Sequence, residues 1–555
     1  MKIALAQIDP TVGDFVGNTR KILEFAERAA ALDADLVMFP ELAVCGYWPA
    51  DLLEKQTFVA RAGEAIEEIA AWTGGAAGRP AILCGAVMPA DSPEGKHVKN
   101  VAVLMEAGRV KHVQQKMLLP FYDVFDEQRY FEPATAQQMT TVGDAPVAIT
   151  ICEDAWNDKG FWPRRNYSID PVDELMRKWP FDVKGQRIIL NISASPFWKD
   201  KRAVRREMLA ALAMRHNAFV IMLNQVGGND SLVFDGSSLA IAPNGSVAAQ
   251  AASFAEDLVL VDTAAVAGPI AADTTDVAAM WDALVLGTRD YIRKCGFQKT
   301  LVGLSGGIDS ALVAAIAVEA VGRENVMGVG MPSVYSSEGS KDDARDLAQR
   351  MGIRFEMLPI HTMFEAYEAV LAPLFAGTPF GLAEENLQPR IRGALLMALS
   401  NKFGALVLTT GNKSEMSTGY CTLYGDMVGA LAVIGDVMKT QVYALSRYAN
   451  RNGEIIPQAT IEKAPSAELR PGQKDTDSLP PYDVLDPILE AYVERYCSAE
   501  EIARTQGVEI ELVRKVLKLV EFSEYKRQQA APVLKVTGKS FGTGRRFPIA
   551  VKVQV

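Results

Sequence analysis

The chain has 555 residues, which is too long for a single hydrophobic core, so we expect two large domains. Apolar residues make up 49% and charged residues 23%, proportions that are ordinary for a soluble, folded protein. The net charge of −11 argues against nonspecific binding of nucleic acid, because such binding needs a basic surface. The net charge does not exclude a local basic pocket that binds a phosphorylated small molecule.

The cysteines and histidines argue against a structural metal or a disulfide framework. The six cysteines are scattered without a C-x-x-C pair, and the four histidines lack metal-ligand spacing. We therefore expect a reducing, cytoplasmic location. The first seven residues resemble a strand rather than a signal peptide, and no apolar run is long enough to span a membrane. We expect a soluble protein without a membrane or nucleic-acid partner.

Short, β-branched apolar runs alternate with longer amphipathic stretches along the first half, a pattern typical of layered α/β domains. Helices are predicted at residues 18–31 and 56–72, and a strand pair at 237–248 around the turn at Asn244. Strands are predicted at residues 2–8, 35–39, 81–87, 100–105, 147–152, 187–192 and 218–224.

A stretch rich in Ala, Thr and Gly at residues 264–276 is typical of an interdomain linker. We accordingly place a first domain at 1–265, a linker at 266–278 and a second domain at 279–555. The α/β pattern then restarts and predicts a doubly wound parallel sheet. Its predicted elements are helices at 277–294 and 310–321 and strands at 300–304, 326–329, 354–359 and 405–409.

Three polar residues of the first half follow apolar segments that can hold them rigidly in a pocket. Glu41 and Cys152 end predicted strands, and Lys116 lies in Gln-Lys-Met-Leu-Leu-Pro. A carboxylate can take the proton of a thiol and return it to departing ammonia, while a lysine stabilises the oxyanion. Taken singly, Cys152 equally fits an inert core cysteine, and Glu41 and Lys116 fit ordinary solvated charges.

Together, Pro40-Glu41-Leu42, Lys116-x-x-Leu-Pro and Cys152-Glu-Asp resemble, in order, the signatures of the nitrilase superfamily. The resemblance covers about residues 1–265 and implies a four-layer αββα sandwich with Glu41, Lys116 and Cys152 as the catalytic residues. In the glutamine-hydrolysing branch it further implies three residues that bind glutamine: Tyr122, Ser195 and Lys201. By themselves, Ser195 and Lys201 also fit a loop serine and a solvated lysine.

The second half carries a glycine-rich turn between a predicted strand and a predicted helix, in the string Leu-Ser-Gly-Gly-Ile-Asp-Ser at 304–310. Backbone N–H groups at such a turn, with the helix dipole, can hold phosphates. The string matches neither the Walker loop nor G-x-G-x-x-G. Two adjacent glycines alone also fit an ordinary strand-to-helix turn.

The full string resembles the pyrophosphate loop of the N-type ATP pyrophosphatases, which adenylate an acid. Further segments around Asn386, Thr410, Ser466 and Lys526 are similar to NAD synthetases over about residues 275–550. The dimerisation domain of GMP synthetase and the N-terminal cysteine of asparagine synthetase are not found.

This second resemblance implies three sets of binding residues. Mg²⁺ would be held by Asp309 and Glu415, since it prefers carboxylate and phosphate oxygens. Deamido-NAD would contact Asn386, Glu415 and Lys526. ATP would contact Gly303, Leu304, Ser305, Gly306, Gly307, Ile308, Asp309, Ser310, Thr410, Lys439 and Ser466. Asn386 and Thr410 equally fit a helix cap and a strand end. The chain departs from ammonia-dependent members at Leu423, where those carry a lysine.

Both resemblances together predict an enzyme of the glutamine-dependent NAD synthetase family. Its partners would be glutamine, ATP and deamido-NAD, and the family implies an enclosed ammonia passage and a homo-oligomer. Two other functions stay open: an amidotransferase acting on another acid, such as a purine or cobyrinate-like substrate, or a regulatory protein whose nitrilase half is inactive. The intact Glu41, Lys116 and Cys152 disfavour the latter.

Overall fold

The structure is a computed structural model that describes residues 1–91, 93–180 and 186–552. The chain divides into two compact units, Met1–Asp276 and Val277–Val555. The predicted domains 1–265 and 279–555 each include a few residues outside the described ranges.

The first unit is built around two six-stranded sheets. In chain order its main elements are β1 (Lys2–Gln7), α1 (Phe15–Ala30), β2 (Leu36–Met38), α2 (Gln56–Thr73), β3 (Ala81–Pro89), β4 (Val98–Glu106), β5 (Arg109–Gln115), β6 (Thr140–Val142), β7 (Ala145–Ile151), α3 (Pro171–Arg177), β8 (Arg187–Ser193), α4 (Lys201–His216), β9 (Ala218–Asn224), β10 (Val226–Asn229), β11 (Leu232–Asp235), β12 (Leu239–Ile241), β13 (Val247–Gln250) and β14 (Asp257–Asp262). One sheet has the order β14-β1-β2-β3-β4-β5 and the other β13-β12-β9-β8-β7-β6.

The side chains of the strands alternate between two cores, which makes the unit a four-layer αββα sandwich. Leu5 and Met38 of the first sheet pack with Ile149 and Ile221 of the second, between the sheets. Helices α1 and α2 cover the outer face of the first sheet. Helices α3 and α4 cover the outer face of the second sheet. The predicted sandwich is confirmed.

The second unit contains a five-stranded parallel sheet. Its elements are α5 (Asp276–Lys294), β15 (Lys299–Gly303), α6 (Ile308–Val321), β16 (Val326–Gly330), α7 (Glu338–Met351), β17 (Arg354–Met357), α8 (His361–Phe375), α9 (Leu382–Phe403), β18 (Ala405–Thr409), α10 (Lys413–Thr418), β19 (Leu431–Ala432), α11 (Lys439–Ala449), α12 (Gln458–Glu462), α13 (Tyr482–Leu489), α14 (Ala499–Gln506), α15 (Ile510–Phe522) and α16 (Glu524–Arg527).

The order of this sheet is β17-β16-β15-β18-β19, and every pair is parallel. The chain moves outward from β15 to β17 on one side and then returns to β18 on the other side of β15. This reversal opens a crevice at the carboxyl ends of β15 and β18, where doubly wound sheets bind ligands. The predicted doubly wound fold is confirmed.

Each strand that the apolar pattern predicts is present, with bounds shifted by no more than two residues. The elements of the first unit that were not predicted are β5, β6, β10, β11, β14, α3 and α4. Helix α4 escapes the pattern because its sequence, KRAVRREMLAALAMRH, is largely charged in its first two turns. Among the described residues, no helix is both long and apolar enough to cross a membrane.

Candidate active sites

The first candidate site brings together Glu41, Lys116 and Cys152. Glu41 follows β2, Lys116 follows β5 and Cys152 follows β7, and all three are buried. Lys116 Nζ donates to Glu41 Oε1 at 2.7 Å. Cys152 has a φ of 44° at a tight turn directly after its strand, a left-handed conformation that is uncommon for residues with a side chain.

The charges around Cys152 explain how the thiol behaves at rest. Burial raises its pKa well above the ordinary value, and the Glu41 carboxylate raises it further, while Lys116 acts in the opposite direction. The resting sulfur is therefore a neutral thiol, and a nearby base must take its proton during attack.

Glu41 is held in place by two further donors. Asn100 Nδ2 donates to Glu41 Oε1 at 2.7 Å, and the backbone N–H of Ala194 donates to Oε2 at 3.0 Å. With Lys116, these donors hold both oxygens of the fully buried carboxylate in place. A carboxylate fixed beside a thiol can act as a general base.

A second carboxylate, Glu127, completes the group and was not predicted. Lys116 Nζ donates to both oxygens of Glu127 at 2.8 Å, and the Tyr47 hydroxyl donates to Glu127 Oε1 at 3.1 Å. Burial tends to lower the pKa of Lys116, but Glu127 and Glu41 raise it well above its ordinary value. The lysine therefore stays charged. Glu127 lies in a stretch of mixed acidic and aromatic residues without periodicity, so no sequence signal distinguishes it.

The predicted glutamine-binding residues lie around Glu153, which follows Cys152 in the chain. The Tyr122 hydroxyl donates to both Glu153 oxygens, at 3.0 and 2.9 Å. Burial raises the pKa of Glu153, and the charge of Lys201 is among those that lower it. Lys201 Nζ donates to the carbonyl of Pro196 at 2.7 Å, and Ser195, the residue before Pro196, is buried. The structure thus places Tyr122 and Lys201 around one carboxylate next to the thiol.

The second candidate site is a cavity of about 280 Å³ at the carboxyl ends of β15, β16 and β18. The cavity is lined by ten of the eleven residues predicted to bind ATP, the exception being Gly306. Those ten are Gly303, Leu304, Ser305, Gly307, Ile308, Asp309, Ser310, Thr410, Lys439 and Ser466.

The glycine loop is shaped by close packing and by its own serines. Gly306 has a φ of +79°, and a Cβ added there would lie 2.3 Å from the carbonyl oxygen of Ser340. The Ser310 hydroxyl donates to the carbonyl of Gly307 at 3.0 Å, and Gly307 N donates to Ser305 Oγ at 3.2 Å. No side chain of the described residues caps the start of α6, so its first N–H groups face the cavity.

Two carboxylates and a lysine lie in the cavity beyond the loop. Lys439 Nζ donates to Asp309 Oδ2 and lies 3.7 Å from Glu415 Oε1. Asn412 Nδ2 donates to Asp309 Oδ1 at 2.9 Å. Burial and the charge of Asp309 raise the pKa of Glu415, whereas Lys439 lowers it. The two carboxylates are thus close enough to repel each other, which favours a cation between them.

The predicted deamido-NAD residues are only partly brought together. Glu415 lines the cavity, but Asn386 and Lys526 do not. Asn386 Oδ1 accepts from the Thr422 hydroxyl at 2.8 Å, and Lys526 Nζ donates to the carbonyls of Gly419 and Cys421 at 2.6 and 2.7 Å. Both side chains therefore flank the segment 419–422 rather than the cavity itself.

The chemistry of Asp309 and Glu415 fits a hard divalent cation. Each offers carboxylate oxygens at the mouth of the phosphate loop, and the charge of Asp309 adds to burial in raising the pKa of Glu415. The described residues contain no cluster of three or more metal-ligating side chains. Two protein carboxylates with the remaining ligands from phosphates and water suit Mg²⁺ rather than a metal held by protein alone.

The sandwich with its buried Glu-Lys-Cys group and the parallel sheet with its phosphate loop define a carbon–nitrogen hydrolase joined to an ATP-dependent synthetase. Residues 2–163 and 172–270 match the family described as carbon-nitrogen hydrolase, and residues 280–530 match the family described as NAD synthase. The chain belongs to the glutamine-dependent NAD(+) synthetase family, and its full-length relatives establish this.

A glutamine-dependent NAD(+) synthetase of Synechocystis is 49% identical over 560 residues, covering 99% of this chain and 98% of the relative. The structure of a glutamine-dependent NAD+ synthetase from Acinetobacter baumannii in complex with ADP superimposes with a TM-score of 0.76 at 39% identity. It covers 99% of this chain and 98% of that one. A glutamine-dependent NAD(+) synthetase from Cytophaga hutchinsonii, at 22% identity and a TM-score of 0.83, shares the fold over 99% of this chain and 97% of its own.

Proposed function

We propose that the chain converts deamido-NAD to NAD+, using ATP and ammonia released from glutamine, with AMP, pyrophosphate and glutamate as the other products. One observation carries the proposal: a single chain holds a buried Glu-Lys-Cys group and a cavity formed around a pyrophosphate loop with two carboxylates. Neither site alone would make an amide from glutamine nitrogen.

In the first unit, Cys152 would attack the side-chain amide carbon of glutamine. Because the thiol is neutral at rest, Glu41 takes its proton as the carbon–sulfur bond forms. Lys116, kept charged by Glu127 and Glu41, stabilises the tetrahedral oxyanion. Glu41 then returns the proton to the departing nitrogen, ammonia leaves, and water hydrolyses the thioester to glutamate.

In the second unit, the carboxylate of deamido-NAD would attack the α-phosphorus of ATP, and pyrophosphate would leave. The first residues of α6 and Lys439 line the cavity, where their N–H and ammonium groups would bind the leaving phosphates. Ammonia then attacks the acyl carbon, and AMP leaves with the bond electrons. Activation by ATP is needed because a carboxylate is a poor acyl acceptor for ammonia in water.

Asp309 and Glu415 would hold Mg²⁺, which supplies positive charge to the phosphates during adenylation. Lys439 contacts the same two carboxylates. It keeps them in place and neutralises part of their charge. Tyr122, Ser195 and Lys201 would position glutamine, and Asn386 and Lys526 would contact deamido-NAD beyond the cavity.

Several further features are part of the same proposal. The unit boundary after Asp276 agrees with the proposed domains at 1–265 and 279–555 joined by a linker at 266–278. We also propose a cytoplasmic homo-oligomer that acts on small molecules rather than on nucleic acid or membranes. The acidic net charge supports the absence of a nucleic-acid partner, and the scattered cysteines support a reducing compartment.

The proposal is tested by measuring NAD, AMP and glutamate together. The purified chain is given ATP, Mg²⁺ and deamido-NAD with either glutamine or ammonium chloride, and a panel of other acids replaces deamido-NAD in parallel. The expected result is one AMP for each NAD, with glutamate formed from glutamine. AMP release with another acid but not with deamido-NAD would contradict the proposed substrate. Absence of glutamate formation would favour a regulatory first unit.

A further inference from the structure

Arg392 is a basic residue of the ATP cavity that was not among the predicted site residues. It lies on α9 and its side chain lines the cavity. Its Nε donates to the carbonyl of Met331 at 2.9 Å, directly after β16. Within the part of the chain that the structure describes, this is the one hydrogen bond of the guanidinium group. Its two terminal nitrogens therefore remain available to a ligand.

The guanidinium of Arg392 forms no ion pair among the described residues. Asp426 and Glu468 are the carboxylates that act on its charge, and they do so from beyond ion-pair distance. Burial lowers the pKa of Arg392 to about 10, so the group is still charged at neutral pH. A partly buried cation without a carboxylate partner is unfavourable, and an anionic ligand offsets that cost.

The other basic residues that line the cavity differ in this respect. Each of them already has a carboxylate partner within the described residues: Lys439 has Asp309, Lys463 has Asp343, and Lys341 has Glu338. Arg392 is therefore the basic residue of the cavity that is best placed to pair with an anionic group of the substrate. Arginine suits a phosphate because its planar group donates two parallel hydrogen bonds.

Met331, whose carbonyl accepts the hydrogen bond from Arg392, lies at the start of the glycine loop rather than at its end. A Cβ added at Gly303 would lie 3.4 Å from Met331 Cε and 3.5 Å from Leu396 Cδ1. Gly303 therefore packs against Met331 and against the turn of α9 that follows Arg392. The N-terminus of α6, with Asp309, lies five residues further along the loop. A triphosphate whose pyrophosphate end faces α6 directs its α-phosphate toward the start of the loop.

We propose that Arg392 binds the α-phosphate of ATP, the phosphate that stays with adenosine when pyrophosphate leaves. This inference rests on the proposed function and adds a residue to it. The same guanidinium then holds the phosphate of the acyl-adenylate and of AMP. Arg392 keeps the acyl carbon in place while ammonia attacks. That step breaks the bond between the acyl carbon and oxygen and leaves the phosphate that Arg392 binds unchanged.

The test is equilibrium binding of four ligands to the full chain: ATP, AMP, adenosine and pyrophosphate. Arg392→Gln should weaken AMP and ATP at least tenfold, whereas adenosine and pyrophosphate should bind as to the wild type. Arg392→Lys should give an intermediate loss, since it keeps the charge but loses the paired geometry. Arg390→Gln is the matched control, because Arg390 lies on the same helix, does not line the cavity and contacts Leu423.

Unchanged AMP affinity in Arg392→Gln would overturn the assignment, and so would an equal loss of adenosine, which would indicate contact with the base. A loss confined to pyrophosphate and ATP would also overturn it in favour of the leaving group. If Arg392→Gln does not fold, Arg392→Lys decides by the same comparison. If the wild type makes NAD and Arg392→Gln binds AMP normally, only this inference is refuted. A wild-type chain that binds no ATP refutes the proposed function as well.

Discussion

Both carboxylate oxygens of Glu127 accept hydrogen bonds from the ammonium group of Lys116, each at 2.8 Å. The same ammonium group donates to Glu41, so one lysine joins two buried carboxylates beside the Cys152 thiol. Lys116 is thereby fixed in position and kept charged in a place that water does not reach. The electrostatic part of the first site thus depends on a residue that lies outside the three nitrilase signatures.

Replacing Glu127 by Gln should lower glutamine hydrolysis about 100-fold, because a neutral amide neither orients Lys116 as firmly nor supports its charge. Glutamate release is measured directly, and NAD formation from ammonium serves as the control that should not change. Loss of both activities in a folded variant would indicate a purely structural role.

The pH dependence of glutamine hydrolysis by the wild type and by Glu127→Gln gives a second measurement. Burial raises the pKa of Glu127 above its ordinary value, so its protonated form persists to higher pH than in a free glutamate. Glutamine hydrolysis by the wild type should therefore fall, as pH is lowered, at a pH above 4.5. Glu127→Gln should lack this acid limb. An identical limb in both proteins would assign it to another group.

Cys152→Ala should abolish NAD synthesis from glutamine, because no thioester can form, and leave synthesis from ammonium intact. The substitution removes one buried atom, so folding should survive. Both rates are measured on one preparation at mildly alkaline pH, where more of the ammonium is present as ammonia. Cys84→Ala is a matched control, since Cys84 is also fully buried but lies within β3. Persisting glutamine-driven synthesis in Cys152→Ala would remove Cys152 from the mechanism.

Asp309→Asn should abolish NAD formation from either nitrogen source, since one of the two carboxylates proposed to hold Mg²⁺ loses its charge. Glutamate release from glutamine should continue, because the residues that perform it lie in the first unit. Asp483→Asn is the control: Asp483 also lies in the first turn of a helix, α13, but is exposed. Mg²⁺-dependent AMP formation at the wild-type rate in Asp309→Asn would contradict the metal assignment.

Gly306→Ala should distort the phosphate loop and weaken ATP binding at least tenfold, because its Cβ would lie 2.3 Å from a carbonyl oxygen of Ser340. Gly296→Ala separates this collision from backbone strain, since Gly296 has a φ of +80° but no atom within 4 Å of an added Cβ. The control should lose only about 1–2 kcal/mol of stability and bind ATP normally. Binding is followed by titration calorimetry and stability by thermal unfolding. Equal ATP affinity in both variants would show that the close packing is unimportant.

The sequence by itself determined the two-part α/β architecture and predicted most residues of both candidate sites. Apolar runs of strand length are local signals, so the strands around Glu41, Cys152 and the glycine loop could be predicted from neighbouring residues alone. The family resemblances then pointed to Lys116, Asp309 and Lys439, whose contacts the structure brings together.

What only the tertiary structure decided is which distant groups complete each site. Glu127 is identified by its burial beside Lys116, and Arg392 by its position in the lining of the cavity. The position of a single polar residue leaves no periodic pattern in the sequence. The same holds for Asn386 and Lys526, which share a family pattern with the cavity residues yet flank the segment 419–422 instead. Contacts between residues far apart in the chain depend on how sheets and helices pack, and local sequence does not encode that packing.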